Sequence, residues 1–277
     1  MRKLLALVAV LGVICGATST ANATPMDDQK AFQDYYKKKF PTVEVNDFTN
    51  GIYAIDAASR EQWEAIEEFP PYELSIEEGE TLFNTPFKNG KSLADCFAKG
   101  GIGIAHTFPK FDTDRNKVVT LELAINECRE ANGEKPYKYK KGSIAAVSAY
   151  MHYTSRGKII DIKIPNKAAE AAYEDGKKFY YTRRGQLNMA CAHCHIDNVG
   201  KKIRADLLSP AFGHTTHFPV YRSKWGAMGT LHRRFTGCNK QVRAKPFPAQ
   251  SEEYRNLEYF LTFMSNSLPS NGPGARK

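Results

Sequence analysis

Apolar residues recur at intervals of three and four in five stretches of this chain, a spacing that lines them up along one face of a helix. The stretches are DQKAFQDYYKKKF (28–40), SREQWEAIEEF (59–69), LELAINECREAN (121–132), GSIAAVSAYMHYTSR (142–156) and SEEYRNLEYFLTFMSN (251–266). The last carries Tyr254, Leu257, Leu261 and Met264 on one stripe, which assigns Met264 to a core. Alternation of apolar and polar residues is confined to GKIIDIKIPN (157–166), read as a short strand or extended linker. The Pro- and Gly-containing end, PSNGPGARK (269–277), reads as a frayed tail. The fold class expected is mainly α.

A second pattern lies over the first. TLELAINECREANGEKPY from Thr120 and TLHRRFTGCNKQVRAKPF from Thr230 share Thr-Leu, a cysteine eight positions on, and Lys-Pro-aromatic. The offset of 110 persists without a gap: Tyr150, Met151, Tyr153 and Ser155 match Phe260, Leu261, Phe263 and Ser265. Upstream, GKSLADC ending at Cys96 matches GQLNMAC ending at Cys191, and EEG ending at Gly79 matches EDG ending at Gly176. A repeat of this kind implies two related tandem units. The boundary is placed in the linker, giving units at 24–160 and 161–277.

The first residues form a short basic start, an apolar run and Ala21-Asn22-Ala23, the pattern of a cleavable signal peptide over 1–23. Export to a bacterial periplasm is expected, and Cys15 leaves with the leader. Loss of Arg2 and Lys3 takes the formal charge from +9 to +7. In that compartment such a charge favours an anionic substrate or an acidic partner over nucleic acid. No second apolar stretch reaches membrane length, so no membrane association is expected.

Five cysteines remain, an odd number for an oxidising compartment. CAHCH (191–195) is the attachment motif for c-type haem, with Cys191 and Cys194 forming thioethers and His195 serving as proximal iron ligand. The first unit has Lys99 and Gly100 where the second has Cys194 and His195, so this motif attaches no haem there. Cys96 and Cys128 occupy the places of Cys191 and Cys238. Without a haem between them the two segments can close, and a Cys96–Cys128 disulfide is expected, worth about 3–4 kcal/mol for a loop of this length.

Cys238 is left over, a candidate distal iron ligand. Met228 competes with it, and His214, His217 and His232 are available; His214 and His217 fall in a segment 15 residues longer than its counterpart, read as a loop over the haem or a partner contact. Arg233, Arg234, Lys240, Arg243 and Lys245 surround Cys238 in sequence, and positive charge stabilises a thiolate. On a helix, Arg234, four residues before Cys238, shares its face.

CAHCH, RRFTGCNKQ, GKSLADCF and the leader together resemble the SoxA subunits of SoxAX cytochromes, of bacterial sulfur-oxidation systems, over almost the whole mature chain. The resemblance implies two helical, cytochrome c-like units, the first without haem, and one covalently bound haem c. It implies Cys238 as distal ligand and catalytic sulfur, often a persulfide, with Arg234 contacting substrate. It further implies a SoxX-like small cytochrome as heterodimer partner and L-cysteine S-thiosulfotransferase activity, coupling thiosulfate oxidatively to a cysteine of a SoxYZ-like carrier. Two other readings stand beside it: an electron-transfer cytochrome with His195/Met228 ligation, and a thiosulfate dehydrogenase that joins two thiosulfates without a carrier.

Overall fold

The computed structural model describes residues 23–277, so the expected leader lies outside the described residues but for Ala23. In chain order these form α1 (Pro25–Lys39), α2 (Ala57–Glu67), α3 (Glu73–Asn84), β1 (Lys110–Asp112), β2 (Lys117–Val119), α4 (Leu121–Ala131) and α5 (Ser143–Tyr153). Then follow α6 (Lys167–Tyr181), β3 (Lys202–Ile203), β4 (Asp206–Leu207), β5 (Val220–Arg222), β6 (Ala227–Gly229), α7 (Leu231–Gln241), α8 (Glu252–Met264) and β7 (Gly274–Arg276). The architecture is mainly α. The sequence offset is also a structural one: moving by 110 residues carries β1, β2 and α4 onto β5, β6 and α7, bounds included. No helix among the described residues is long and apolar enough to cross a membrane.

The helices α3 and α6 escape the periodicity analysis because a glycine stands in the apolar stripe of each. That glycine is a packing device. A Cβ on Gly79 would lie 2.0 Å from the carbonyl oxygen of Ala146 in α5, and one on Gly176 would lie 2.0 Å from that of Asn256 in α8. Ala146 and Asn256 are themselves repeat equivalents. α3 thus crosses α5, and α6 crosses α8, at a point where only hydrogen fits. Gly176→Ala is expected to cost about 3 kcal/mol or more, because a backbone carbonyl cannot step aside as a side chain does. Chemical denaturation checks this; a loss under 1 kcal/mol would show that the crossing relaxes.

The two units meet through a nearly two-fold contact. Thr120 Oγ1 donates to Gln250 Oε1 (2.9 Å), while Thr230 N donates to Lys140 O (3.3 Å), and Gln250 and Lys140 are again 110 apart. The same patch on both units serves both partners, as at an isologous dimer interface. Here Ser148 Oγ donates to Glu122 Oε1 (2.9 Å), and at the equivalent positions His232 Nε2 lies 3.1 Å from Glu258 Oε2.

Burial drives the titration of this cluster. It pushes Glu122 up to about 7, aided by the charge of Glu258, and Glu258 up to about 8. His232 Nδ1 accepts from Gln250 N (3.0 Å), which keeps the ring neutral, and burial lowers its pKa to about 4. Between the ordinary carboxylate pKa and about 8, the folded chain holds protons that the unfolded chain releases, so these groups lower stability as pH rises through that window. His232 has the opposite sign and costs stability as pH falls from about 6.5 to about 4. The drop in thermal midpoint from pH 6 to pH 8.5 should therefore shrink in Glu258→Gln; an unchanged drop would mean that the acid pair does not control it.

Among the described residues the buried side chains gather into two main cores, the larger of which also takes in Phe111 and Val118 from β1 and β2. Phe83, Leu93, Val119, Leu121, Ile125 and Met151 form the first, braced by the Cys96–Cys128 disulfide. The second gathers Tyr173, Phe212, Phe235, Tyr254 and Phe260, together with Phe32, Tyr36 and Phe48 from the N-terminal segment. This corrects the unit expected over 24–160: α1 packs with the second core, where Tyr36 stacks on Phe212 and Gln29 Nε2 donates to Phe263 O (2.9 Å). The linker is extended as expected, with Ile160 N donating to Leu268 O (2.9 Å) and Gly157 N to Ser270 O (2.8 Å). The chain end is a second correction. It is no frayed tail: β7 pairs parallel to β5, with Val220, Tyr221 and Arg222 opposite Gly274, Ala275 and Arg276, and all three β7 residues are buried.

Candidate haem site

The haem-attachment motif occupies a short helical turn that widens over His193–Asp197. Local polar contacts set it: Ala190 N donates to His193 Nδ1 (2.9 Å), and Asn198 Nδ2 to His193 O (2.7 Å). The N-terminal helix holds it from outside the repeat. Tyr36 OH donates to His195 O and accepts from Ala211 N (3.1 Å), and Lys39 Nζ donates to Ile196 O (2.8 Å).

Beside this turn lies a cavity of about 460 Å³ whose wall includes Cys191, Cys194, His195, Arg234 and Cys238. That volume lies in the range of small-molecule and cofactor sites. His195 Nδ1 is 2.9 Å from Ser209 O; a carbonyl only accepts, so Nδ1 carries the proton and Nε2 keeps its lone pair. Burial pushes the His195 pKa down to about 4, leaving the neutral imidazole that binds metals. A carbonyl on the far ring nitrogen is the usual orienting contact for such a ligand. Cys191 and Cys194 are free thiols. Two thiols, an oriented imidazole and a cavity of this size fit haem c.

The structure also sorts the candidates for the other axial position. Cys238 stands on α7 one turn after Arg234, and both line the cavity. Met228 does not; it is buried with Tyr72, Ala145 and Ala149 in a separate cluster. Met264 is in the core, as its stripe implies, and His232 sits at the interface between units. His214 and His217 do line the cavity, with the His214 ring 4.3 Å from that of His195. Their segment is packed inside the protein; His217 and its neighbours Thr215 and Thr216 are buried.

Of the five cations around Cys238 in sequence, only Arg234 reaches the cavity wall. Arg233 stacks 4.2 Å from the Trp225 ring and donates to Met228 O (3.1 Å), while Lys240, Arg243 and Lys245 are exposed. Other parts of the chain supply what these do not: Lys202, Arg222 and Arg276 line the cavity beside Asp56 and Asp206. None of these was legible in the sequence: Asp56, Arg222 and Arg276 are remote from the attachment motif, and Lys202 and Asp206 follow it in a segment with no periodic pattern. Gly51, Ile52 and Tyr53, between α1 and α2, complete part of the wall and were equally hidden.

Two cytochrome c-like units, one with a built haem-attachment site, define a cytochrome c protein, and residues 78–160 match the family model of the SoxA/TsdA cytochrome c domain. The chain is 58% identical over 276 residues to the L-cysteine S-thiosulfotransferase subunit SoxA of Allochromatium vinosum, covering 99% of this chain and 98% of that one. It is 59% identical over 250 residues to the protein of the same name from Chlorobaculum tepidum, covering 90% and 87%. The crystal structure of SoxXA from P. pantotrophus superposes with a TM-score of 0.71 at 31% identity, covering 80% of this chain and 84% of that one. The chain belongs to the SoxA family of L-cysteine S-thiosulfotransferase subunits.

Proposed function

We propose that this chain is the exported, mono-haem subunit of the transferase, that it pairs with a SoxX-like cytochrome, and that Cys238 is its working sulfur. The observation that carries this reading is the position of Cys238 and Arg234, one helical turn apart in the wall that also holds Cys191, Cys194 and His195. Cys191 and Cys194 would hold haem c by thioethers, and His195 Nε2 and Cys238 Sγ would bind its iron. When bound, haem c supplies a one-electron acceptor, with the SoxX-like partner providing a second. We assign the haem unit to 161–277 together with α1, and the haem-free unit to the repeat that precedes the linker.

Arg234 pairs with the anionic sulfonate end of thiosulfate and leaves its outer sulfur beside Cys238. Joining that sulfur to Cys238 Sγ forms one S–S bond and releases two electrons. A cysteine thiolate of a SoxYZ-like carrier then attacks the outer sulfur. The Cys238 bond breaks, the carrier leaves as cysteine S-thiosulfonate, and the Cys238 thiolate is restored. If Cys238 already bears a persulfide, its terminal sulfur plays the same part. Formation of tetrathionate without a carrier would instead mark a thiosulfate dehydrogenase.

Low-temperature electron paramagnetic resonance of the oxidised protein without its partner, beside Cys238→Met, tests the ligand assignment. A low-spin thiolate-type signal that disappears in the variant is expected. A His/Met-type signal unchanged by the substitution would remove Cys238 from the iron and return the chain to the electron carriers.

A further inference from the structure

Arg276 poses a question that the transfer reaction does not answer. It is 8% exposed and lines the haem cavity from β7, in the segment whose composition suggests a loose end. Its guanidinium donates to Ala275 O (2.7 Å) and Asn50 O (3.2 Å) and lies 4.6 Å from the centre of the Tyr53 ring. Among the described residues no carboxylate lies within ion-pairing distance of it. The nearby carboxylate of Glu67 is engaged by Trp63 Nε1 (2.8 Å), Tyr72 OH and Ala275 N (3.3 Å). Opposite Arg276 across the β5–β7 pairing stands Arg222, its side chain 11% exposed and its Nε buried without a partner, while its other end donates to Lys277 O (2.9 Å) and pairs with Asp206 at 3.9 Å.

Burying a guanidinium without a counter-charge costs several kcal/mol, more than two main-chain acceptors return. Arg222 alongside Arg276 repels it as well, and the single carboxylate of Asp206 lies on the far partner, Arg222, and not on Arg276. A pair like this is stable where the cavity's occupant brings negative charge. Haem c brings two carboxylates that need the same neutralisation once out of water, and being covalently attached it is a permanent occupant. Arg276 is tethered by main-chain carbonyls at a fixed place, which suits a resident anion better than one that arrives and leaves with each turnover.

We infer that Arg222 and Arg276 form a two-guanidinium cradle for the haem propionates, and that the chain end is folded back along β5 to deliver the second of them. This rests on the haem reading above. It divides three of the cavity's four arginines into two groups; the fourth, Arg184, stacks on the Phe179 ring and donates to Phe179 O. Arg222 and Arg276 hold the cofactor's carboxylates, while Arg234, on the helix that carries Cys238, is left for the substrate anion.

The test is made on purified holoprotein with its partner subunit, comparing wild type, Arg276→Gln, Arg276→Lys and Arg222→Gln. Haem content, midpoint potential and the KM for thiosulfate are measured on each. Removing a fixed positive charge beside the propionates disfavours the reduced haem, which is one unit more negative. Arg276→Gln should therefore lower the potential at unchanged haem content and KM, and Arg276→Lys should recover most of the shift. A KM raised tenfold or more with the potential unchanged would assign the pair to the substrate anion and overturn the cradle. No change in either would overturn it too. If Arg276→Gln yields no holoprotein, Arg222→Gln carries the same comparison. Wild-type protein without covalent haem would sink the haem reading itself, an outcome distinct from all of these.

Discussion

Replacing Cys238 by serine is expected to lower thiosulfate-dependent transfer to a carrier thiol by roughly three orders of magnitude or more, as loss of a nucleophile does in other covalent enzymes. Serine keeps the size of the side chain and loses the chemistry: an oxygen in that place cannot form the bond to sulfur that a second thiolate later exchanges. The substitution leaves untouched Cys191, Cys194 and His195, the proposed haem-attachment residues, which lie in a different segment. Haem content measured by the alkaline pyridine spectrum should stay at the wild-type level while turnover is lost. Arg234→Gln belongs to the same experiment with a smaller effect. A charge-assisted hydrogen bond is worth about 1.5–3 kcal/mol, so the KM for thiosulfate should rise roughly 10- to 100-fold. Wild-type turnover in the serine variant would remove Cys238 from the reaction.

The second large effect concerns the unit without the haem motif. Converting both Cys96 and Cys128 to serine should destabilise the protein by about 3–4 kcal/mol, the loop-closure value for cysteines 32 residues apart. In the second unit the equivalent positions, Cys191 and Cys238, line the cavity, and in the proposed reading a bound haem would tie those segments together. In the first, the disulfide makes that tie directly, between the turn ending at Cys96 and the middle of α4. Denaturant unfolding followed by circular dichroism measures the loss. A shift below 1 kcal/mol would mean that the core around Leu93, Leu121 and Ile125 holds the unit without the bridge.

Much of this is legible in the amino-acid sequence. CAHCH announces its chemistry because the three reactive side chains are neighbours in the chain and need only one turn to come together. The disulfide was legible because the repeat aligns Cys96 and Cys128 with two positions that have to meet around a haem. The shared face of Arg234 and Cys238 follows from helical spacing alone. The glycines Gly79 and Gly176 were visible as a repeated pair, though their purpose was not: a glycine in an apolar stripe looks like a helix breaker until the helix that crosses it is known.

What the sequence by itself determined is therefore the local chemistry and the duplication: the attachment turn, the disulfide pair, the leftover cysteine and its arginine, and the mainly α class. The tertiary structure alone decided which distant residues close the site. Arg276 and Arg222 are brought side by side by a parallel pairing between segments more than fifty residues apart, and nothing in PSNGPGARK encodes its partner. Tyr36 reaches the attachment turn from a helix more than 150 residues upstream. Most of the cations near Cys238 in the chain turn away from it: a helix gives only one in three or four of its residues to any face, which removes Arg233 and Lys240, and Arg243 and Lys245 lie beyond the end of α7. Local order is written in spacing, but the wall of a cavity is made by surfaces that meet only when the chain has folded.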